Sequence, residues 1–240
     1  MTNKFRTIIT ATAMLLAAYS HPAAQEANAW VPPTAYTDAK TGESYDIVVG
    51  KADAPVTIYE YASLTCPHCK AYQDLAADEV QKQWIDTGKA KLVYRHFPLD
   101  EAALAAALTV QCMPPEKRYD TVKLFFGSVE RWQTNTENLV TVLEEAYGKD
   151  LPFVEPTAEE RKETDTASGA VTVPAATNKD RLIECLNRKG FAERALQGMI
   201  EAGNNGVNST PYFIIGGEHV RGAQPAEKIG EVIQKHLAAK

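Results

Sequence analysis

The sequence has no excess of positive charge. Its 240 residues contain 25 Lys and Arg against 31 Asp and Glu, which gives a formal net charge of -6. Nucleic acid binding draws on cations that neutralise phosphates, so this balance does not support it. A P-loop, a dinucleotide-binding glycine fingerprint and a ligand-spaced cluster of His and carboxylates are also lacking. We therefore expect no cofactor and no nucleic acid partner.

The apolar run near the N-terminus is short for a membrane anchor. Ile8–Ala18 is about a dozen residues long, whereas a span needs about 20. Basic residues precede this run, and the sequence at 27–29 matches the A-x-A cleavage pattern of signal peptides. Cleavage after Ser20 or Ala24 also fits. We predict a secretory signal peptide over residues 1–29.

Cysteine is scarce, and all four cysteines lie beyond the predicted signal peptide. An even number in an exported chain favours two disulfides. Cys66 and Cys69 are one candidate pair, which leaves Cys112 and Cys185 for each other. Two unrelated buried thiols are the alternative for that second pair. We predict a structural Cys112–Cys185 bridge, because an oxidising compartment rarely leaves two thiols free.

The motif Cys66-Pro67-His68-Cys69 lies between a β-branched run and a segment with helical spacing. A helix N-terminus carries a partial positive charge that stabilises a thiolate, and proline is favourable at the first helical position. The motif therefore indicates dithiol redox chemistry. A structural disulfide is one alternative. A metal site formed by Cys66, His68 and Cys69 is another, although no fourth ligand is evident.

The rest of the chain alternates strand and helix patterns. Predicted strands are Tyr45–Val49, Val56–Ala62, Lys91–Phe97, Pro211–Ile215 and His219–Arg221. Predicted helices are Pro67–Asp86, Glu101–Gln111, Glu116–Gln133, Glu137–Tyr147, Thr177–Arg188, Phe191–Ala202 and Pro225–Ala238. The polar segment 151–177 is predicted to be a short helix flanked by mobile loop.

This element order resembles the thioredoxin fold with an inserted all-helical domain. The motif at 66–69, with Glu60, Arg95-x-Phe97-Pro98-Leu99 and Thr210-Pro211, also resembles the DsbA family of periplasmic disulfide oxidoreductases. The similarity covers nearly the whole chain after the predicted signal peptide. It implies an α/β, thioredoxin-like domain formed by 30–100 and 206–240, with a helical insertion domain at 101–205.

The resemblance implies a role for each residue of the motif. Cys66 is the expected attacking thiol, and Cys69 is the resolving thiol, one turn into the helix. His68, as a cation or a hydrogen-bond donor, would stabilise the Cys66 thiolate. Glu60 lies in a strand that helices should cover on both faces. We therefore expect a buried carboxyl of raised pKa that exchanges a proton with Cys69, the alternative being an exposed strand glutamate.

The dipeptide Thr210-Pro211 resembles the cis-proline loop of thioredoxin-fold proteins. The backbone of Thr210 would pair with an extended substrate segment, as an added strand does. An ordinary trans proline that opens a strand is the alternative. Pro67, Thr210 and Pro211 are the candidate substrate-binding residues.

The DsbA resemblance predicts a periplasmic oxidase that donates its Cys66–Cys69 disulfide to cysteine-containing, unfolded exported polypeptides. A DsbB-like membrane quinone reductase would reoxidise it. The alternative on the same fold is a disulfide isomerase or reductase. Thr210 favours that alternative, because the best-known DsbA has valine at this position. A metal-binding module is a third hypothesis.

Overall fold

The computed structural model describes residues 44–155, 177–188 and 191–239. The predicted signal peptide and most of the polar segment 151–177 lie outside these ranges.

A five-stranded mixed sheet forms the centre of the fold. Its strands are β1 (Ile47–Val49), β2 (Val56–Ala62), β3 (Ala90–His96), β4 (Tyr212–Ile215) and β5 (Glu218–Arg221). Their order is β1-β3-β2-β4-β5; β2 and β3 are parallel, and the other pairs are antiparallel. The central position of β2 explains its apolar, β-branched sequence, since a strand covered on both faces has no solvated side.

Helical segments cover the sheet and fill the long connection from β3 to β4. In chain order they are α1 (Pro67–Tyr72), π1 (Gln73–Ala77), α2 (Asp78–Val80), π2 (Gln81–Ile85), α3 (Glu101–Gln111), α4 (Pro115–Gly127), α5 (Val129–Trp132), α6 (Asn138–Tyr147), α7 (Asn178–Leu186), α8 (Phe191–Asn204) and α9 (Ala226–Ala238). The mixed sheet with flanking helices confirms the predicted α/β, thioredoxin-like class. None of the helices in the described ranges has both the length and the apolar character of a membrane span.

The helix that follows the cysteine motif runs without a break from Pro67 to Ile85, although two π-helical segments interrupt its α-helical geometry. Regular α-helical spacing predicts Leu75 on the same face as Cys69 and Tyr72. That prediction is wrong, because Leu75 is 82% exposed while Cys69 and Tyr72 are buried. Leu75 lies within π1, whose wider turn changes the direction in which side chains point.

Two predicted helix boundaries also differ from the structure. Pro115 begins α4, where its missing N–H is not needed, instead of lying between two helices. The helix predicted over Glu116–Gln133 is two helices, α4 and α5, separated at Ser128. The Ser128 hydroxyl donates a 2.7 Å hydrogen bond to the Leu124 carbonyl oxygen, a contact that competes with the helical ladder.

A disulfide joins Cys112, at the end of α3, to Cys185 in α7. This is the pairing proposed from the sequence. Both cysteines are fully buried in the apolar core. Thr177 and Asp180 form a reciprocal capping box at the start of α7. The bridge therefore links two well-defined helices of the β3–β4 connection.

Candidate active site

The loop between β2 and α1 is held by hydrogen bonds on two sides. The Cys66 N–H donates to the Ser63 carbonyl oxygen at 3.1 Å, and the Leu99 N–H donates to the Ser63 hydroxyl at 3.3 Å. The Thr65 hydroxyl donates to the Asp100 carboxylate at 2.7 Å. Because Asp100 caps α3, the start of that helix anchors the loop that presents Cys66.

The two thiols of the motif differ in their access to solvent. Cys66 is the N-cap residue of α1 and keeps 6% of its surface exposed, whereas Cys69 is completely buried. Both are free thiols in this structure. Pro67 and His68 lie between them and are exposed. An incoming thiol can therefore reach Cys66 past an exposed rim, but it cannot reach Cys69.

The pKa values of the two thiols are displaced in opposite directions. The pKa of Cys66 is lowered to about 5, chiefly by a hydrogen bond from the Cys69 thiol, with smaller contributions from Thr210 and the backbone N–H groups of Cys69 and His68. Burial raises the pKa of Cys69 far above that of a free thiol, and the neighbouring Cys66 raises it further. A thiolate is therefore stable at Cys66 and unstable at Cys69 near neutral pH.

The Thr210–Pro211 peptide bond is cis, the geometry implied by the resemblance. The Cys66 thiol donates to the Thr210 carbonyl oxygen at 3.5 Å, so the loop before β4 lies against the Cys66 sulfur. The Thr210 hydroxyl oxygen is buried, and no group in the described ranges forms a hydrogen bond with it. It lies near enough to both thiols to lower the pKa of each.

Glu60 lies in β2 and is 1% exposed, which confirms the expected burial. Burial raises its pKa to about 8, against a smaller opposing effect of the hydrogen bond from Gln73. The Gln73 amide donates to the Glu60 carboxyl over 3.4 Å. Glu60 therefore holds its proton over most of the neutral pH range and can exchange it near pH 8.

The sequence does not predict which polar side chains lie around Glu60. Tyr94 is the register partner of Glu60 on β3, and Gln73 is its hydrogen-bond donor. Tyr72 packs on Phe213 with ring centroids 4.7 Å apart. The tyrosines read as ordinary core residues in the sequence. Only the pairing register of β2 with β3 would have located Tyr94.

Two further histidines lie in the sheet. Burial lowers the pKa of His96 to about 3, so its ring is neutral. His219 Nδ1 lies 2.9 Å from the Tyr212 hydroxyl in the β4–β5 hairpin. Within the part of the chain that the structure describes, no three His, Cys, Asp or Glu side chains are arranged to hold a metal ion.

Comparison with known proteins gives the same fold. A family model described as Thioredoxin matches residues 42–235. The crystal structure of Wolbachia pipientis alpha-DsbA1 is 25% identical, with a TM-score of 0.57 over 81% of this chain and 92% of that one. Disulfide bond formation protein D of Bacillus subtilis is 23% identical over 195 residues, 80% of this chain and 78% of that protein.

A local match has higher identity. A Rickettsia prowazekii protein, provisionally named a protein-disulfide oxidoreductase, is 39% identical over 67 residues. That alignment covers 28% of this chain and only 25% of the relative. The chain thus spans about a quarter of the length of the Rickettsia relatives it matches.

The fold, the Cys66–Cys69 pair and the cis-proline loop together define a thioredoxin-fold protein with a CxxC motif. The chain belongs to the thioredoxin family, and its similarity to alpha-DsbA1 and to disulfide bond formation protein D makes it DsbA-like.

Proposed function

We propose that this protein is a thiol:disulfide oxidoreductase that donates its Cys66–Cys69 disulfide to cysteine pairs of other polypeptides. The observation that carries the proposal is the opposite displacement of the two thiol pKa values, downward at Cys66 and upward at Cys69. A DsbA-like fold around such a pair supports the same activity.

In the first step a substrate thiolate attacks the Cys66 sulfur of the oxidised protein. The Cys66–Cys69 bond breaks, and a mixed disulfide forms between substrate and Cys66. Cys69 leaves as a thiolate in an apolar site that destabilises its charge, so it takes up a proton. Glu60, a buried carboxyl of β2 that is protonated below about pH 8, is the proposed source of that proton.

In the second step another substrate thiolate attacks the substrate sulfur of the mixed disulfide. The substrate disulfide forms, and Cys66 leaves as a thiolate. A thiol of low pKa is a good leaving group, so the lowered pKa of Cys66 favours this step. It also stabilises the reduced protein, which makes the Cys66–Cys69 disulfide more oxidising.

The extended substrate segment would pair with the backbone of Thr210 beside Pro211. The Thr210 carbonyl oxygen already accepts a hydrogen bond from the Cys66 thiol, which puts this backbone next to the reacting sulfur. Exposed Pro67 and His68 would form the other side of the contact. The side chain of His68 remains a candidate for stabilising the Cys66 thiolate.

An isomerase or reductase is the second candidate, favoured by the hydroxyl of Thr210. By lowering the pKa of both thiols, this hydroxyl affects the balance between the oxidised and reduced protein. The reduction potential against glutathione distinguishes the two functions. We expect a value near the roughly -120 mV of DsbA, and a value near the roughly -270 mV of thioredoxin would overturn the oxidase in favour of a reductase.

A variant pair tests the assignment of the attacking thiol. Cys66→Ser is expected to abolish catalysed insulin reduction, whereas Cys69→Ser should accumulate mixed disulfides at Cys66. Mass spectrometry of each variant after incubation with oxidised glutathione measures this. Adduct formation by Cys66→Ser at the rate of Cys69→Ser would contradict the proposed roles.

The proposed site of action is the periplasm, with unfolded exported polypeptides as substrates and a DsbB-like membrane protein as oxidant. The predicted signal peptide and the Cys112–Cys185 bridge, which suits an oxidising compartment, support this. Fractionation of cells that express the full chain tests it. Recovery of the protein with reduced Cys112 and Cys185 from the cytoplasm would contradict it.

A further inference from the structure

The hairpin formed by β4 and β5 brings an arginine beside the cis-proline loop. Gly222, which follows Arg221 at the end of β5, donates its N–H to the Pro211 carbonyl oxygen at 2.9 Å. One residue before Pro211, the Thr210 carbonyl oxygen accepts the hydrogen bond of the Cys66 thiol at 3.5 Å. An unbroken run of bonded contacts therefore connects the Cys66 sulfur to the backbone of Arg221.

The side chain of Arg221 is exposed and is held by an aromatic ring. Tyr212, its register partner on β4, is 1% exposed. The Arg221 guanidinium lies over the Tyr212 ring, 5.8 Å from the ring centroid. A ring face attracts a cation without neutralising it, so the N–H donors of the guanidinium can still bind an anion from solution.

Arg221 has no acidic partner in the described ranges. Other arginines of the chain each form an ion pair with a carboxylate, namely Arg95, Arg131 and Arg181. The surface beside Arg221 is also open, because a Cβ atom built on Gly222 would meet no atom within 4 Å. An unpaired cation therefore borders open space at the edge of the cis-proline loop.

The other charges of the protein do not favour an acidic substrate as strongly. The net charge of -6 repels one over long distances. Beside the cysteine motif, Lys70 is paired with Asp74, and Asp100 adds a carboxylate on the α3 side of the loop. A preference for acidic substrates would therefore originate close to Arg221, with the exposed His68 as the other candidate cation.

We propose that Arg221 is a specificity residue that binds the carboxylate of an acidic side chain next to the reacting cysteine of the substrate. An extended segment that pairs with the Thr210 backbone passes beside Pro211, where the guanidinium can reach its side chains. A guanidinium forms two parallel hydrogen bonds with a carboxylate. The preferred substrates are thus polypeptides with Glu or Asp beside a cysteine. This inference deepens the proposed function and rests on it.

The experiment compares three cysteine peptides as reductants of the Cys66–Cys69 disulfide in the full chain. The residues on both sides of the peptide cysteine are Glu, Gln or Lys in an otherwise identical sequence. Each rate constant is divided by the rate constant of the same peptide with hydroxyethyl disulfide, a neutral oxidant, which removes differences in thiol reactivity. At low ionic strength the Glu peptide should react roughly three- to fivefold faster than the Gln peptide. Salt at about 1 M should remove this preference.

Substitutions of Arg221 should change the preference in a set order. Arg221→Gln should abolish it, and Arg221→Glu should favour the Lys peptide. Arg221→Lys should retain part of it, because the charge remains while the two parallel hydrogen bonds are lost. Lys235→Gln is the matched control, since it removes one positive charge at the other end of the hairpin, where Lys235 bonds to Glu218. This control should keep the preference of the unsubstituted protein.

Three outcomes overturn the assignment of Arg221. The first is an unsubstituted protein without a preference for the Glu peptide. The second is an Arg221→Gln variant that keeps the preference, and a lowered melting temperature in that variant would then assign Arg221 to covering Tyr212. The third is an equal loss in Lys235→Gln, which would make overall charge the cause. All three leave the proposed function intact. If none of the peptides reduces Cys66–Cys69 in the unsubstituted protein, the proposed function fails as well.

Discussion

Cys66 and Cys69 carry the same side chain, and the difference between them comes from their surroundings. Cys66 caps a helix and accepts hydrogen bonds that favour its thiolate, whereas Cys69 lies among apolar groups that oppose one. A separation of two residues is sufficient for this contrast, since one helical turn takes the side chain from the rim into the core. A single motif thus contains one thiol of lowered pKa at the rim and one buried thiol of raised pKa.

At the residue scale, the first prediction concerns the titration of Cys66. In the reduced protein the thiolate absorbance at 240 nm should appear with a midpoint near pH 5, because hydrogen bonds favour the charged form. The lowered pKa also makes the reduced protein more stable as pH rises from about 5 towards the pKa of an unfolded thiol near 8.5. Cys66→Ser is the control and should show no such transition. A midpoint above 8 would contradict the assignment.

A second prediction concerns the stability cost of Glu60. Its pKa is about 8 in the folded protein and about 4.3 when unfolded, so the folded state binds more protons between these values. Stability is therefore lost as pH rises through this range, by roughly 3 kcal/mol at pH 7. Glu60→Gln should remove that loss.

Urea denaturation at pH 4.5 and pH 7 measures the effect. The advantage of Glu60→Gln over the unsubstituted protein should be small at pH 4.5 and grow by roughly 3 kcal/mol at pH 7. The two proteins share all other titratable residues, so the pH dependence that those residues cause cancels when the two stabilities are subtracted. An advantage that does not depend on pH would show that Glu60 is not protonated in the folded state.

At the scale of single elements, α3 supports the active-site loop through its N-cap. Asp100 accepts a 2.7 Å hydrogen bond from the Ala103 N–H and another of 2.7 Å from the Thr65 hydroxyl. Asp100→Ala removes both and should cost about 0.5–2 kcal/mol of unfolding free energy. It should also slow the reaction with glutathione, because Cys66 follows Thr65 directly.

Asp100→Asn is the matched control for that prediction. Its side-chain oxygen can still cap α3, and its amide can still bond to the Thr65 hydroxyl. Its melting temperature and its reaction with glutathione should therefore stay close to those of the unsubstituted protein. Equal losses in both variants would show that the charge of Asp100, and not its hydrogen bonds, supports the loop.

The elements differ in how far their sequence determines them. β2 and α3 have the predicted bounds, because a β-branched run between turns and an alanine-rich run between a cap and two prolines each favour one local structure. The π segments after Tyr72 were not foreseen, since their hydrophobic spacing is close to that of an α-helix. Tertiary packing, which the local pattern does not contain, decides between them.

Some residues of the candidate site could be predicted from the sequence, and others could not. The cysteine motif, Glu60 and Thr210-Pro211 are visible in the sequence, because each is unusual for its position in a strand, helix start or loop. Tyr94 and Gln73 are not, since a tyrosine in a strand and a glutamine in a helix are ordinary residues. Their proximity to Glu60 depends on strand register and on the path of the helix after Tyr72.

At the scale of the whole molecule, the site depends on a contact between distant parts of the chain. Cys66 follows β2, and Pro211 precedes β4, the antiparallel neighbour of β2 in which Tyr212 pairs with Tyr61. The connection between these strands contains α3 to α8. Closing so long a connection costs entropy, and the Cys112–Cys185 bridge spans 73 residues within it. The bridge therefore stabilises the fold that brings the two parts of the candidate site together.

The last prediction separates an effect of the Cys112–Cys185 bridge on stability from an effect on the exchange reaction. Replacing Cys112 and Cys185 together by alanine should lower the unfolding free energy by roughly 4 kcal/mol, the chain-entropy value for a loop of this length. Insulin reduction at a temperature where the variant is folded should persist, because the bridge joins the end of α3 to α7 and not the helix that carries Cys66 and Cys69. The Cys66→Ser, Cys69→Ser double variant is the matched control. It should lose activity while its unfolding free energy changes far less, since only two residues separate those thiols. Loss of activity in the folded alanine variant would mean that the bridge takes part in the exchange reaction itself.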